Sequence, residues 1–227
     1  FMGIPALALH GNYDEALRQF RLFHEKMWVE KKQLYRHGWT PTASGYHPSF
    51  FWGRANGWAL LTACELLDVQ EDPYIMNCFL QHLDGLLPLQ GNDGAWHQLL
   101  DRPDTYTETS CTAIYAYCLA HAINKGWIEP EPYIGQTLLA WHYINAHITS
   151  MGQVAGTCVG TGLAFDPAFY AYRPVSNYAA HGYGPVIWAA AEIYSLLAHH
   201  CVKTNDSAVH YYSTAPQTDE PIFYIEE

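Results

Sequence analysis

The sequence predicts an all-α protein in which paired helices form a ring. Apolar residues recur at helical spacing through most of the chain, whereas strand patterns are weak and short. The linkers between helices also repeat, since Trp96 follows Trp39 by 57 positions and Gly152 follows Gly94 by 58. Self-similarity at such a period is typical of helical hairpins arranged around an axis. The predicted helices span residues 13–31, 52–68, 73–88, 108–125, 131–148 and 182–200.

The predicted helices divide into two kinds by the way they begin. The first, 13–31, has an apolar face and follows Asn12, a candidate cap. The helices at 52–68, 108–125 and 182–200 begin instead with small, polar and aromatic residues, as in FFWGRANGW and NYAAHGYGPVIW. Small residues allow helices to pack closely, so we expect these three to line the axis with the others behind them. Their polar starts would then converge at one end of the ring, where a pocket forms.

Length and composition favour one ordered globular unit. The 227 residues can bury one substantial core and no long linker divides them, so we expect a single domain over 1–227. Apolar residues make up 49% and charged residues 15% of the chain, which argues against disorder. The net charge of −11, without any basic run, argues against binding to nucleic acid.

The sequence gives little support to membrane, metal or disulfide classes. No apolar run approaches the roughly 20 residues of a membrane span, and no signal peptide is recognisable. We therefore expect no membrane association and favour the cytoplasm or the periplasm, without a choice between them. The six cysteines form no CxxC pair and are interpreted as reduced core thiols. The thirteen histidines show no metal-ligand spacing, so neither a metal nor a cofactor is expected.

An arginine between two tryptophans marks the start of one predicted inner helix. Arg54 follows Trp52 and precedes Trp58. It can bind an anionic ligand in an aromatic pocket, or it can satisfy a helix carbonyl or a nearby carboxylate. Trp39 and Tyr106 lie in linkers or at helix starts, where an aromatic ring can stack on a sugar or pack into the core.

Titratable side chains near the expected pocket are candidate proton carriers. Glu108 can act as an acid, or it can complete a capping box that begins at Thr105. Arg102 can bind a ligand or pair with its neighbour Asp101. Loop histidines are usually solvated, but several that converge could act as acids or bases near neutral pH. These histidines are His37, His47, His97 and His181.

Five segments follow one another along the chain: LYRHGW, FWGRANGW, GAWHQLLDRPDTYTETSCTAIYAYCLAHAINKGWI, GTCVGTG and YRPVSNYAAHGYGPVIWAAAE. Their order and spacing resemble the unsaturated glycuronyl hydrolases of glycoside hydrolase families 88 and 105, most closely the unsaturated rhamnogalacturonyl hydrolases. The likeness extends from about residue 2 to residue 195. Because several ordered motifs contribute, the resemblance is far more specific than one short match.

The resemblance implies an (α/α)6 barrel of helical hairpins with the active site at one end of the inner helices. The implied substrate is an oligosaccharide that ends in the 4,5-unsaturated uronic acid left by polysaccharide lyases on pectin-like chains. The implied reaction is hydration, in which an aspartic acid protonates C4, water adds at C5 and the resulting hemiketal opens. Such a reaction needs one acid/base group in place of the usual carboxylate pair.

The catalytic aspartic acids of the resembled families have no counterpart in this chain. One is expected between the HGW and FWGR motifs, where this sequence reads TPTASGYHPSF without a carboxylate. The other would fall upstream of Phe1, so we expect an N-terminally truncated barrel. Three interpretations stay open: an upstream acid acts, His47 or Glu108 has replaced it, or the protein binds unsaturated sugars without turnover.

We therefore predict a glycoside hydrolase of the unsaturated rhamnogalacturonyl hydrolase type, with an oligosaccharide substrate as its partner. The alternatives are a noncatalytic carbohydrate-binding protein on the same fold and an (α/α)6 sugar epimerase that uses histidines as acid and base. The predicted catalytic residues are His47 and Glu108, and the predicted substrate-binding residues are Trp39, Arg54, Trp58, His97, Arg102, Tyr106 and His181.

Overall fold

The elements of the fold come from a computed structural model that describes residues 2–41, 48–205 and 210–214. Within these ranges the chain forms eight α-helices and two small antiparallel sheets. The helices are α1 (Gly3–Leu9), α2 (Tyr13–Met27), α3 (Gly53–Val69), α4 (Pro73–Leu86), α5 (Thr109–Asn124), α6 (Pro130–Ala146), α7 (Pro167–Ala171) and α8 (Ala180–His199). The sheets pair β1 (Trp28–Val29) with β2 (Leu34–Tyr35), and β3 (Cys201–Asn205) with β4 (His210–Thr214).

The longer helices form two rows. Helices α1 and α2, α3 and α4, and α5 and α6 pack as hairpins, while α3 packs between α1 and α5, and α8 packs on α5. We call α1, α3, α5 and α8 the inner row, and α2, α4 and α6 the outer row. The prediction of an all-α fold built from helical hairpins is therefore confirmed, and the single domain over 1–227 stays a prediction.

The inner row packs closely because small residues of α3 face α5. A Cβ added to Gly57 would come within 3.1 Å of the Ile114 side chain, and one added to Gly53 within 2.9 Å of Cys111 Sγ. Helix α5 has neighbours on both sides, and it buries every residue from Thr109 to Ile123 except one. One continuous cluster of buried apolar side chains joins the two rows.

Apolar side chains are exposed on α8, the last helix of the inner row. Tyr194 is 75% exposed, Ile187 is 66% exposed and Trp188 is 42% exposed. Among the helices in the described ranges, none combines the length and the apolar character needed to cross a membrane.

Extended segments cross the N-terminal ends of the inner helices and join neighbouring hairpins. The Gly53 amide donates to Gln98 O at 2.9 Å, and the Thr109 amide donates to Gly156 O at 3.1 Å. An inner helix therefore starts from backbone that is held by the linker of the next hairpin, which explains why the linkers repeat in the sequence. We call these segments the belt, which comprises residues 34–37, 50–53, 96–100, 106–109, 156–159 and 174–176.

Gly94 allows the second repeated linker to pass against α6. Its φ is +89°, and an added Cβ would clash with Leu139 O. The substitution Gly94→Ala is expected to lower the free energy of unfolding by about 2–3 kcal/mol, from backbone strain and the clash together. Gly152→Ala is the matched control, because Gly152 has a φ of +75° and no atom of the described residues lies within 4 Å of the added Cβ. Urea denaturation should show the larger loss of unfolding free energy for Gly94→Ala. Equal losses in the two variants would contradict a contribution from the clash.

The start and the end of α2 differ in part from the prediction. The helix ends at Met27 rather than at residue 31, because Trp28 is extended and pairs with Tyr35 across the first small sheet. Asn12 precedes α2 as predicted, but its side chain makes no capping hydrogen bond.

Candidate functional site

Arg54 lies in the first turn of α3, where the helix leaves the belt, and only 1% of its side chain is exposed. Nη1 donates to Cys158 O at 2.8 Å and to Ser110 Oγ at 3.1 Å, and Nη2 donates to Val159 O at 2.8 Å. The guanidinium also lies 4.8 Å from the centre of the Trp52 ring. A positive charge at a helix N-terminus opposes the helix dipole, so this arginine requires compensation from a nearby anion.

Glu108 supplies that negative charge from the start of α5. Its carboxylate lies 3.6 Å from Arg54 Nη1, and neither side chain is more than 1% exposed. Oε2 accepts from the Cys111 amide at 2.7 Å, which caps α5, and Oε1 accepts from the Cys158 amide at 2.8 Å. Ser110 Oγ lies 2.8 Å from both carboxylate oxygens. The buried pair therefore joins α3, α5 and the belt.

The prediction that Glu108 caps its helix is confirmed, but a capping box that begins at Thr105 is wrong. Helix α5 begins at Thr109, so Glu108 is itself the residue that caps the helix. Thr105 lies in the preceding turn instead, where its Oγ1 donates to Arg102 O at 2.7 Å and accepts from the Leu99 amide. Both oxygens of Glu108 are occupied and enclosed, so the carboxylate has no access to a ligand in this geometry. The catalytic role of Glu108 stays a prediction.

His37 is held on the belt by Tyr170 from α7. Nδ1 of His37 lies 2.5 Å from the Tyr170 hydroxyl, and Gln98 Nε2 donates to Tyr170 O at 3.1 Å. Trp52 completes the network, because its Nε1 donates to Gln98 Oε1 and its ring contacts that of His37. Burial, and then the positive charge of Arg54, lowers the pKa of His37 to about 4. The ring is therefore neutral at neutral pH.

A cavity of about 320 Å³ opens between α1, α2 and α3. This volume lies at the lower end of the range of about 300–1,000 Å³ for small-molecule sites. Trp58 of α3 lines the cavity, as do Arg36 and His37 of the belt. The other lining residues are mostly apolar: Gly3, Ile4, Leu7, Gln19, Phe20, Phe23, His24, Met27, Tyr35, Ala55, Ala59 and Thr62.

Two further predicted residues lie near the Arg54–Glu108 pair. Tyr106 is half-buried, and burial, together with the neighbouring Cys158 thiol, raises the pKa of its hydroxyl. His181 is exposed at the start of α8, and partial burial, followed by the charge of Arg54, lowers its pKa against the opposing effect of Glu108. The structure therefore brings four of the predicted residues together at one end of the inner row: Arg54, Tyr106, Glu108 and His181.

His97 and Arg102 lie in the linker before α5. The His97 ring is held by its own linker, since Nδ1 lies 2.5 Å from Thr105 O. Arg102 is exposed and pairs with Asp104 at 3.2 Å, so the predicted pairing with Asp101 is wrong. This occurs because the chain turns at Arg102 and brings the residue two positions later beside the guanidinium.

Trp39 is 40% exposed, and the ammonium of Lys26 lies 5.8 Å from the centre of its ring. His47, the other predicted catalytic residue, lies outside the described residues.

Gln98, Ser110 and Tyr170 were missed by the sequence analysis. Only Tyr170 had a local signal, because the Asp-Pro pair before it is typical of a helix start.

The described cysteines and histidines do not assemble a metal site. Five cysteines are free and buried, in agreement with the interpretation as core thiols: Cys64, Cys78, Cys111, Cys118 and Cys158. Across the described ranges, the side chains form no group of three histidine, cysteine, aspartate or glutamate residues that could hold an ion.

Comparison with known proteins gives relatives that match most of this chain. The chain is 28% identical to the unsaturated rhamnogalacturonyl hydrolase YesR of Bacillus subtilis, over 80% of this chain and 52% of the relative. It is also 28% identical to Protein Atu3128 of Agrobacterium fabrum, over 84% of this chain and 97% of that protein. The chain thus spans about half the length of the Bacillus hydrolase.

The fold also matches solved structures. A Salmonella enterica protein, described as a possible member of the GH105 family, superposes with a TM-score of 0.79 at 27% identity, over 85% of this chain and 54% of that one. A family 88 glycosyl hydrolase from Bacteroides vulgatus superposes with a TM-score of 0.70 at 22% identity, over 86% and 61% of the two chains, which supports the fold alone. The model of Glycosyl Hydrolase Family 88 matches residues 1–197. The chain therefore belongs to glycosyl hydrolase family 88.

Proposed function

We propose that this chain contributes to a glycoside hydrolase that removes a 4,5-unsaturated uronic acid from the non-reducing end of oligosaccharides. The family match over residues 1–197 is the observation on which the proposal rests. The Bacillus relative is named as an unsaturated rhamnogalacturonyl hydrolase, and we propose the same rhamnogalacturonan-type substrate for this chain.

The proposed reaction is hydration of the double bond. An acid protonates C4, water adds at C5 and returns a proton to the acid, and the hemiketal at C5 opens to a ketone. The ring-opened sugar then carries a hemiacetal at C1, which releases the remaining oligosaccharide. This route needs one acid/base group, whereas direct attack on the glycosidic bond uses two carboxyl groups about 5–9.5 Å apart.

We assign the first sugar of the substrate to the cavity beside Trp58 and His37. The Trp58 ring offers an aromatic wall against which a sugar face can pack. The Ala164 amide donates to the Tyr170 hydroxyl, which can in turn donate to Nδ1 of His37. His37 then retains its hydrogen on Nε2 and can donate to a sugar hydroxyl. The predicted contacts of Trp39, His97, Arg102, Tyr106 and His181 remain proposals.

We assign Arg54 and Glu108 to structural roles and keep His47 as the proposed acid. The guanidinium and the carboxylate each have protein partners on several sides, as described above. Catalysis by either group would require these buried contacts to break, which leaves buried charges and polar groups unpaired.

The test is the loss of ultraviolet absorbance of the double bond in unsaturated galacturonyl-rhamnose. We expect turnover by the parent protein, and a loss of about 10²–10⁴-fold in kcat for His47→Ala, as for removal of a general acid. Glu108→Gln should lose activity only in proportion to its loss of folded protein, measured by circular dichroism. A folded but inactive Glu108→Gln protein would contradict the structural role of Glu108.

A noncatalytic carbohydrate-binding protein is the second candidate. It is favoured by the observation that the described lining residues offer aromatic and polar contacts without a carboxylate. Binding of the unsaturated disaccharide to the parent protein, without loss of absorbance, would support this candidate over the hydrolase.

A further inference from the structure

The cavity between α1, α2 and α3 has an electrostatic character unlike that of the whole chain. The chain holds 22 acidic residues against 11 basic ones, yet the described residues that line the cavity include no aspartate or glutamate. Arg36 is the permanently charged residue among them. Burial lowers the pKa of His24 as well as that of His37, so both lining histidines are neutral at neutral pH.

Arg36 lines the cavity without a hydrogen-bond, ion-pair or ring partner among the described residues, whereas Arg21, which also lacks the first two, packs on the Tyr74 ring. Its side chain makes no hydrogen bond or ion pair with the described residues, and Nε is enclosed without an acceptor. By contrast, Arg18 pairs with Glu15, Arg102 pairs with Asp104, and Arg54 is bound by Glu108 and two backbone carbonyls. Arg54 and Arg102, which were both predicted to bind substrate, therefore already have their guanidinium groups occupied.

Arg36 is half-buried with its Nε enclosed, and leaving such a guanidinium unpaired is costly, because desolvation of a charge is offset only by a partner of opposite charge. A carboxylate is the partner that best matches a guanidinium, since it can accept two parallel N–H hydrogen bonds. The neighbouring Trp58 ring and the apolar side chains of α1 and α2 would contact the rest of such a ligand. The cavity thus fits a small molecule that combines one carboxylate with an apolar face.

We propose that Arg36 binds the carboxylate of the terminal uronic acid in this cavity and thereby selects acidic over neutral sugars. This inference rests on the proposed function, because it assigns the cavity to the terminal sugar of the substrate. It places the charge-recognising residue in the belt, directly before His37, rather than on α3 at Arg54.

The experiment compares binding of galacturonate and of galactose, which differ in the carboxylate, by titration calorimetry with the parent protein and Arg36→Gln. We expect the substitution to weaken galacturonate binding about ten- to a hundredfold, as for loss of hydrogen bonds to a charged group. Galactose binding should be unchanged. Arg18→Gln is the matched control, because it removes a surface arginine that does not line the cavity, and it should leave galacturonate affinity as in the parent.

Equal galacturonate affinity in the parent and in Arg36→Gln would overturn the inference, as would no galacturonate binding by the parent. Turnover of the unsaturated disaccharide by the same samples separates this inference from the proposed function. Galacturonate binding that depends on Arg36, in a protein without turnover, would refute the hydrolase and retain the carboxylate site. Turnover with the same KM in Arg36→Gln would retain the hydrolase and refute the role of Arg36.

Discussion

Replacement of Arg54 by methionine is expected to lower the free energy of unfolding by about 3–5 kcal/mol. The substitution leaves Glu108 as a buried carboxylate without its counter-ion, 3.6 Å from the vacated Nη1 position. It also removes the donor to Cys158 O, so this belt carbonyl loses its hydrogen-bond partner, whereas Val159 O still accepts from Thr161 Oγ1 at 2.9 Å. Urea denaturation followed by circular dichroism measures the loss.

Two variants test whether the loss comes from the unpaired charge. In the double variant Arg54→Met/Glu108→Gln no buried charge is left alone, so stability should recover in part relative to Arg54→Met. Arg102→Met is the surface control, because Arg102 and Asp104 are both exposed and such pairs contribute about 0–1 kcal/mol. If Arg54→Met lowers the free energy of unfolding no more than Arg102→Met does, the Arg54–Glu108 pair does not stabilise the belt.

The second large effect is expected at His121, at the other end of the inner row. Nε2 lies 2.8 Å from Asp68 Oδ2 on α3, and Nδ1 lies 3.0 Å from Glu192 Oε1 on α8. Ionised carboxylates only accept hydrogen bonds, so both ring nitrogens carry hydrogen and the ring is the imidazolium cation. Burial lowers the pKa of His121, and so does repulsion from Lys125. The hydrogen bond to Glu192 and the negative charges of Asp68 and Glu192 outweigh both effects, so the pKa of His121 is raised.

His121→Gln is expected to lower the free energy of unfolding by about 3 kcal/mol at pH 6, from the loss of charge-assisted hydrogen bonds to two carboxylates. Because the folded pKa is raised, this stabilisation is fully present below the unfolded pKa of about 6.5. It is lost as pH rises through the folded pKa. The difference in unfolding free energy between parent and variant, measured by urea denaturation from pH 5 to pH 9, should therefore shrink as pH rises. A difference independent of pH would show that His121 is not charged in the folded protein.

The helical fold was predictable because apolar spacing is a local property. Long stretches rich in apolar residues, such as those that became α3 and α5, match the structure to within a residue or two at each end. The five-residue helix α7 and the two-residue strands β1 and β2 are too short to show any periodicity. The end of α2 was missed because Trp28 and Val29 are compatible with a helix by spacing and become extended through pairing.

The candidate site was less predictable because its contacts are distant in sequence. Glu108 was placed correctly near a helix start, yet its partner Arg54 lies 54 positions earlier and no local pattern links the two. Tyr170 reaches His37 across 133 positions. Arg36 was not selected at all, because an arginine without a partner is recognised only when every neighbour in space is known.

The belt also has a consequence for the order in which the protein folds. Each helical hairpin forms from contacts between neighbouring stretches of chain, whereas Arg54 reaches Val159 across 105 positions. Closing loops of that length costs chain entropy, and contacts of high sequence separation slow folding. We therefore expect the contacts of Arg54 with residues 158 and 159 to form only after the hairpins α3–α4 and α5–α6 have docked. By the same reasoning we expect the His37 side of the cavity wall, which is held by Tyr170 across 133 positions, to acquire its native contacts late, whereas Arg36 is held locally by Met27 O.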